Sequence, residues 1–191
     1  EGRDDPNLFW VDPKFRGIFP LDNFHISRSL GRRIRQGDYE IRINSAFTEV
    51  IQACAERSET WINTQIFKLY CELAKLGYAH SLEVWKNGAM AGGVYGLTIG
   101  AAFFGESMFS RQTDGSKIAL AYLIHRLKHT GFRLFDTQFI TPHLRSLGAI
   151  EISRADYHKK LRHALCENGN FLHRSYSVDP SNIAQRKTQT S

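Results

Sequence analysis

With 191 residues, 42% of them hydrophobic, the chain is long enough to bury a core of ordinary size beside a small accessory piece, so a globular protein is expected. A formal charge of +6 and a pI near 9.3 favour polyanionic partners without requiring them. The three widely spaced cysteines, Cys54, Cys71 and Cys166, form no Cys-x-x-Cys pair, so they indicate neither a disulfide framework nor a zinc or other metal site and fit a reducing cytoplasm; no apolar run reaches the roughly 18 residues of a membrane span, and no secretory leader is read.

The chain opens in loop style, Glu1-Gly2-Arg3-Asp4-Asp5-Pro6, as a fragment would. Leu8-Phe9-Trp10-Val11 is a short strand candidate ended by Asp12-Pro13, and Gly17-Ile18-Phe19-Pro20 is another, broken by its proline. Ser27 can cap a helix from Arg28 to Gln36, which Gly37-Asp38 stops. That helix carries Arg28, Arg32, Arg33 and Arg35, and the three- and four-residue spacings stack arginines along one face with no acids between them. Such a stripe is either a solvated face or a row of phosphate contacts. Tyr39 to Ile43 alternates as a half-buried strand with Glu40 and Arg42 outward. Asn44 or Ser45 then starts a helix on which Phe47, Val50, Ile51 and Cys54 share a face, making Cys54 a core residue. After a polar loop from Glu56 to Thr60 come Trp61-Ile62 and a helix capped by Asn63, with Ile66, Leu69, Tyr70, Leu73 and Leu76 as its apolar face and Gly77 as its stop.

From Tyr78 the period changes to that of strands. Ala79 to Lys86, the turn Asn87-Gly88 and Met90 to Leu97 form a hairpin. Gly92, Gly93, Gly96 and Gly100 mark a bulge or the close approach of a ligand or another backbone. A third strand, Phe103 to Ser110, carries Glu106, and Gly115-Ser116 opens a helix with apolar Ile118, Leu120, Ala121, Ile124 and Leu127; its N-terminus could receive an anion or merely be capped. In the strand Phe132 to Phe139, Asp136 and Gln138 sit two apart and so share a face, roughly 7 Å apart at Cα, which points to a polar site set into an apolar sheet. Thr141-Pro142 begins a short helix that Gly148 stops, Ile150 to Ile152 is a last strand, and Ser153 caps a helix from Arg154 to Cys166. The expected architecture is α+β, a mixed and mostly antiparallel sheet flanked by helices in the element order of the acetyltransferase-like fold. Residues 1–57 read as a small N-terminal α/β piece, 58–166 as an acetyltransferase-like domain and 167–191 as a partly disordered tail.

His25-Ile26-Ser27-Arg28-Ser29-Leu30, Trp61-Ile62, Leu76-Gly77-Tyr78-Ala79-His80-Ser81, Gly92-Gly93-Val94-Tyr95-Gly96, Phe104 to Arg111, Ser116-Lys117, Asp136-Thr137-Gln138, His143-Leu144 and Ser146-Leu147-Gly148-Ala149 follow one another over about residues 7 to 157. In that order they resemble the leucyl/phenylalanyl-tRNA–protein transferases. Two departures stand out: the family's upstream region, with its aromatic-bearing segment, does not appear, and Thr137 replaces a cysteine found in many members.

The resemblance implies transfer of leucine, phenylalanine or methionine from an aminoacyl-tRNA to the N-terminal amine of proteins beginning with Arg or Lys, which marks them for degradation, by a cytoplasmic monomer that needs no cofactor. It places Asp136, Gln138 and Glu106 at the reaction centre, Val94, Phe103, Leu120, Leu123, Leu127 and Phe135 in the side-chain pocket, Trp61 on the terminal adenine, and Arg28, Arg32, Arg33 and Arg35 on the tRNA. Aminolysis of an ester needs alignment and proton management more than a strong nucleophile. Gln138 can orient the amine, Asp136 can hold Gln138 and receive or stabilise a proton, and Glu106 can hold an amino group. Two other classes share features with the chain. An acyl-CoA-dependent N-acetyltransferase would place its pyrophosphate over Arg111 to Ser116, although the expected glycine pattern is lacking; a non-catalytic RNA-binding module would keep the arginines and Trp61 but would not need Asp136 and Gln138. A serine hydrolase built on Ser107 lacks the second glycine of the nucleophile elbow.

Overall fold

The computed structural model describes residues 11–56, 60–173 and 176–184; residues 8–10 of the first strand candidate, 57–59 of the polar loop and the end of the tail lie outside them. In chain order the elements are β1 (Phe15–Phe19), α1 (Arg28–Gln36), β2 (Glu40–Ile43), α2 (Phe47–Ala55), α3 (Thr64–Lys75), β3 (Ala79–Lys86), β4 (Ala89–Ile99), β5 (Ala102–Ser110), α4 (Gly115–His129), β6 (Leu134–Gln138), α5 (Pro142–Ser146), β7 (Ile150–Ser153), α6 (Arg154–Leu165) and α7 (Pro180–Ile183). Local chemistry sets many of these limits. Ser27, Asn63, Thr141 and Ser153 each accept a hydrogen bond from a first-turn N–H of the helix that follows. Asn87 and Gly88 take φ 51° and 74°, the left-handed pair that suits a two-residue hairpin.

The strands form one seven-stranded sheet in the order β2-β3-β4-β5-β6-β1-β7. Only β5 and β6 run parallel; the other neighbours are antiparallel. β1 lies between β6 and β7 and β2 forms the opposite edge, so strands from the first 57 residues share the sheet with those that follow. Neighbours along a strand, Val94 and Tyr95 or Leu134 and Phe135, belong to different buried clusters, which therefore occupy opposite faces. One face carries α1 and α4; the other carries α2 and α3 at one end and α6 at the other.

Helix α4 is buried on nearly all sides and seats directly on β4. A Cβ on Gly92 would stand 2.5 Å from the carbonyl carbon of Gly115, and one on Gly115 would meet the carbonyl oxygen of Ala91. The close approach signalled by the strand glycine is thus that of a helix backbone.

Several expectations shift. Helix α2 starts at Phe47 rather than after Asn44 or Ser45, because both residues are committed across the sheet. Asn44 sits at φ 52° and accepts from the Ser81 N–H at 2.8 Å, while the Ser45 hydroxyl donates to the buried carboxylate of Glu83 at 2.7 Å. The Ser45 and Ala46 N–H groups donate to the same carboxylate, so Glu83, far along the chain, holds the turn that leads into α2. On α3, Leu69 and Leu76 are exposed, and Phe67 and Ala74 join Ile66, Tyr70 and Leu73 inward. Beyond α6 periodicity is lost but packing is not: Phe171 is buried, stacked on His80 and Phe103, and accepts at its carbonyl oxygen from Arg126 Nε. No helix among the described residues is long and apolar enough to cross a membrane.

Since the atoms facing Gly92 are backbone, Gly92→Ala must push α4 off β4, and it is expected to destabilise the fold by about 1–3 kcal/mol, read as a lowered midpoint in thermal denaturation. An unchanged midpoint would show that the contact is slack.

Candidate active site

β5 and β6 pair only from Ala102 opposite Leu134 to Phe104 opposite Asp136. Past that point β5 follows β4 to Ser110 and β6 follows β1 to Gln138, so the two parallel strands part at their C-terminal ends. A bulge lies on each side of the parting. Along β4, Tyr95 faces Ser107 and Gly96 faces Gly105, leaving Glu106 as the extra residue. Along β1, Gly17 faces Gln138 and Ile18 faces Asp136, leaving Thr137 as the extra residue. The first bulge lets Phe103 and Met108, five positions apart and so on opposite faces of a regular strand, pack on the same core, and it re-aims Glu106.

Asp136 is 0% exposed. Arg16 of β1 grips it in a fork, Nε to Oδ1 at 3.0 Å and Nη2 to Oδ2 at 2.7 Å. The Tyr157 hydroxyl of α6 donates to Oδ2 at 2.8 Å, and the Gln138 backbone N–H donates to Oδ1 at 2.7 Å. Gln138 has φ 62°, a left-handed turn that ends the strand. Its side chain therefore does not continue the alternation expected from spacing. Asp136 holds Gln138 by the main chain, and the Gln138 amide Nε2 donates instead to Glu106 Oε2 at 3.0 Å.

Glu106 is half-buried and also bonds the Tyr70 hydroxyl of α3. Burial pushes its carboxyl above the ordinary carboxylate range; the hydrogen bonds from Tyr70 and Gln138 oppose this, and the negative charge of Asp136 adds to it. Burial would lower the Arg16 guanidinium, but its bonds to Asp136 outweigh that and raise it. Burial and then the charge of Asp136 push up the Tyr157 hydroxyl. Trp61, half-buried, meets Tyr70 edge-on with ring centroids 6.2 Å apart, so one aromatic ring separates it from Glu106.

Val94, Phe103, Leu120, Leu123, Leu127 and Phe135 come together in the buried cluster beneath α4, with Phe103 and Phe135 edge to face at 5.3 Å. Met108 borders that cluster and also lines a cavity of about 400 Å³ past the end of β5, together with Ala53, Phe109, Ser110, Ser116 and His143. On α1, Arg28, Arg32 and Arg35 are exposed and, among the described residues, have no acidic partner. Arg33 instead pairs with Asp114 at 3.2 Å. The N-terminus of α4 is already occupied: Gly115 N–H donates to Gln112 O, Ser116 N–H donates to Ser110 Oγ, and the Asp114 carboxylate sits there between Arg33 and Lys117. That geometry disfavours a pyrophosphate.

Sequence reasoning missed Arg16, Tyr157 and Tyr70 as parts of the site. No spacing signal could link Arg16 to a carboxylate 120 positions away, Tyr70 read as one residue of an apolar helix face, and nothing in the sequence singled out Tyr157.

The family model described as leucyl/phenylalanyl-tRNA protein transferase matches residues 18–162. The leucyl/phenylalanyl-tRNA–protein transferase of Cereibacter sphaeroides is 61% identical over 191 residues, which cover 100% of this chain and 89% of the relative. That of Ruegeria pomeroyi is 57% identical, with 100% and 90% covered. Among solved structures, the crystal structure of FemX superposes with a TM-score of 0.57 at 10% identity, over 80% of this chain and 62% of that one, a likeness of fold. With a matching model across most of its length and full-length relatives at this identity, the chain belongs to the leucyl/phenylalanyl-tRNA–protein transferase family.

Proposed function

We propose that this chain transfers leucine or phenylalanine from an aminoacyl-tRNA to the N-terminal α-amine of a protein. The observation that carries the reading is the hydrogen-bonded series Asp136, Gln138, Glu106, set where two parallel strands part, in a chain of this family. The same parting strands support an acetyltransferase-like reading of the fold.

The reaction is aminolysis. The neutral amine adds its lone pair to the ester carbonyl carbon, a C–N bond forms, the C–O bond to the terminal ribose breaks, and the proton lost by nitrogen ends on the ribose oxygen. An α-amine with a pKa of about 8 is neutral in a useful fraction at physiological pH, so the site must chiefly align the partners. Gln138, its main chain fixed by Asp136 and its Nε2 spent on Glu106, keeps its Oε1 as an acceptor for the amine N–H.

Trp61 stacks on the terminal adenine, a contact worth about 1–3 kcal/mol. The buried cluster from Val94 to Phe135 opens to take the aminoacyl side chain. Because it is wholly apolar and discriminates methylenes by only about 1–3 kcal/mol, methionine is accepted beside leucine and phenylalanine. Arg28, Arg32 and Arg35 contact acceptor-stem phosphates, with Arg33 bracing α1 against Asp114. The acceptor proteins begin with Arg or Lys and are thereby marked for degradation, and the enzyme acts as a cytoplasmic monomer.

Radiolabelled leucine is expected to pass from Leu-tRNA to a peptide beginning with Arg and not to peptides beginning with Asp or Ala. Acetyl-CoA turnover without aminoacyl transfer would reverse the assignment. Gln138→Ala is expected to slow transfer by about 10²-fold at unchanged tRNA affinity; near wild-type turnover would remove Gln138 from the mechanism. Joint replacement of Arg28, Arg32 and Arg35 by alanine should weaken tRNA binding and flatten the slope of log affinity against log salt by about 2–3. An unaltered slope would return these residues to a solvated face.

A further inference from the structure

The two carboxylates of the site are not equivalent. Asp136 is 0% exposed, and its oxygens are fully used: Oδ1 accepts from Arg16 Nε and the Gln138 N–H, and Oδ2 accepts from Arg16 Nη2 and the Tyr157 hydroxyl. A carboxylate has about four lone-pair sites, so nothing remains with which to take a proton from an incoming amine. Glu106 differs on each count. It is half-buried rather than sealed, and it accepts from Gln138 Nε2 and from Tyr70, which leaves acceptor capacity unused.

We infer that Arg16 and Tyr157 are positioning residues that turn Asp136 into a fixed anchor for the Gln138 main chain, and that Glu106 is the carboxylate that takes the proton released by the attacking amine. This rests on the transfer reading above. As the amine nitrogen bonds to the ester carbon, its proton passes to a Glu106 oxygen. When the ester C–O bond breaks, the Glu106 carboxyl returns that proton to the departing ribose oxygen and becomes a carboxylate again. Burial suits Glu106 to the task, because it raises the proton affinity of the group toward that of the amine it must deprotonate. Asp136 takes no part in the proton transfer, and its work is geometric: the left-handed turn at Gln138, which sends the amide toward Glu106, depends on the bond from the Gln138 N–H.

The wild-type chain is assayed first for leucine transfer to an Arg-initiated peptide, since silence there would overturn the transfer reading rather than this one. Asp136→Asn is then compared with the double variant Arg16→Gln, Asp136→Asn. The neutral pair can still match a donor to an acceptor and still offers a carbonyl oxygen to the Gln138 N–H, so the double variant is expected to transfer about tenfold faster than Asp136→Asn alone. Equal or slower transfer would mean that the charge of Asp136 itself is needed, and the anchor role fails. Tyr157→Phe, which keeps the ring and so the packing, is expected to lower kcat about threefold to tenfold with KM for Leu-tRNA unchanged; a wild-type kcat would overturn the clamp. Glu106→Ala is expected to regain transfer by about tenfold in added formate, a small carboxylate able to enter a half-buried site. Failure of formate to restore it would overturn the proton assignment.

Discussion

An ionised carboxylate sealed away from water costs far more than any single hydrogen bond returns unless it is met by both charge and geometry. Asp136 is such a group, and the fold around it supplies both. β1 must run beside β6 to bring Arg16 into range, α6 must lie across the sheet to bring the Tyr157 hydroxyl, and the main chain must turn at Gln138 to present its N–H. Removal of one partner from a buried pair of this kind typically costs about 3–5 kcal/mol, a large share of a domain's stability. The position of β1 between β6 and β7 is therefore tied to the chemistry of the site: the first strand of the described chain delivers the counter-ion.

The opposite face shows a different constraint, that of volume. α4 approaches β4 so closely that both contact residues are glycines, and the core beneath it is closed by Phe103, Phe135 and the leucines of the helix. Close-packed interiors move between discrete arrangements rather than deforming continuously. In the proposed reaction, an aminoacyl side chain would enter by repacking this cluster, which Met108 borders together with the cavity past β5. Met suits such a place, being unbranched and easily rearranged.

Charge is distributed with the same economy. Of the four arginines of α1, Arg33 is drawn to Asp114 at the N-terminus of α4, tying α1 to the helix that forms the floor of the core, while the other three remain in solvent. Asp114 holds a left-handed angle and pairs with Lys117 as well, so a helix terminus that could have attracted an anion carries its own.

What the sequence by itself determined is what short-range physics controls. Hydrogen bonds from Ser27, Asn63, Thr141 and Ser153 start helices, left-handed angles at Asn87 and Gly88 turn a hairpin, and apolar spacing marks Cys54 and the α4 leucines as core. Each depends on residues within one or two turns of the backbone. The motif order was legible too, and with it the family. The tertiary structure alone decided the rest, because sheet order sets which distant groups meet. The contacts of Arg16 with Asp136, of Ser45 with Glu83 and of Arg33 with Asp114 join residues that no local period relates. The same is true of the two bulges and of the turn at Gln138: period-two alternation placed Asp136 and Gln138 on one face, but the requirement to satisfy a buried carboxylate overrode it.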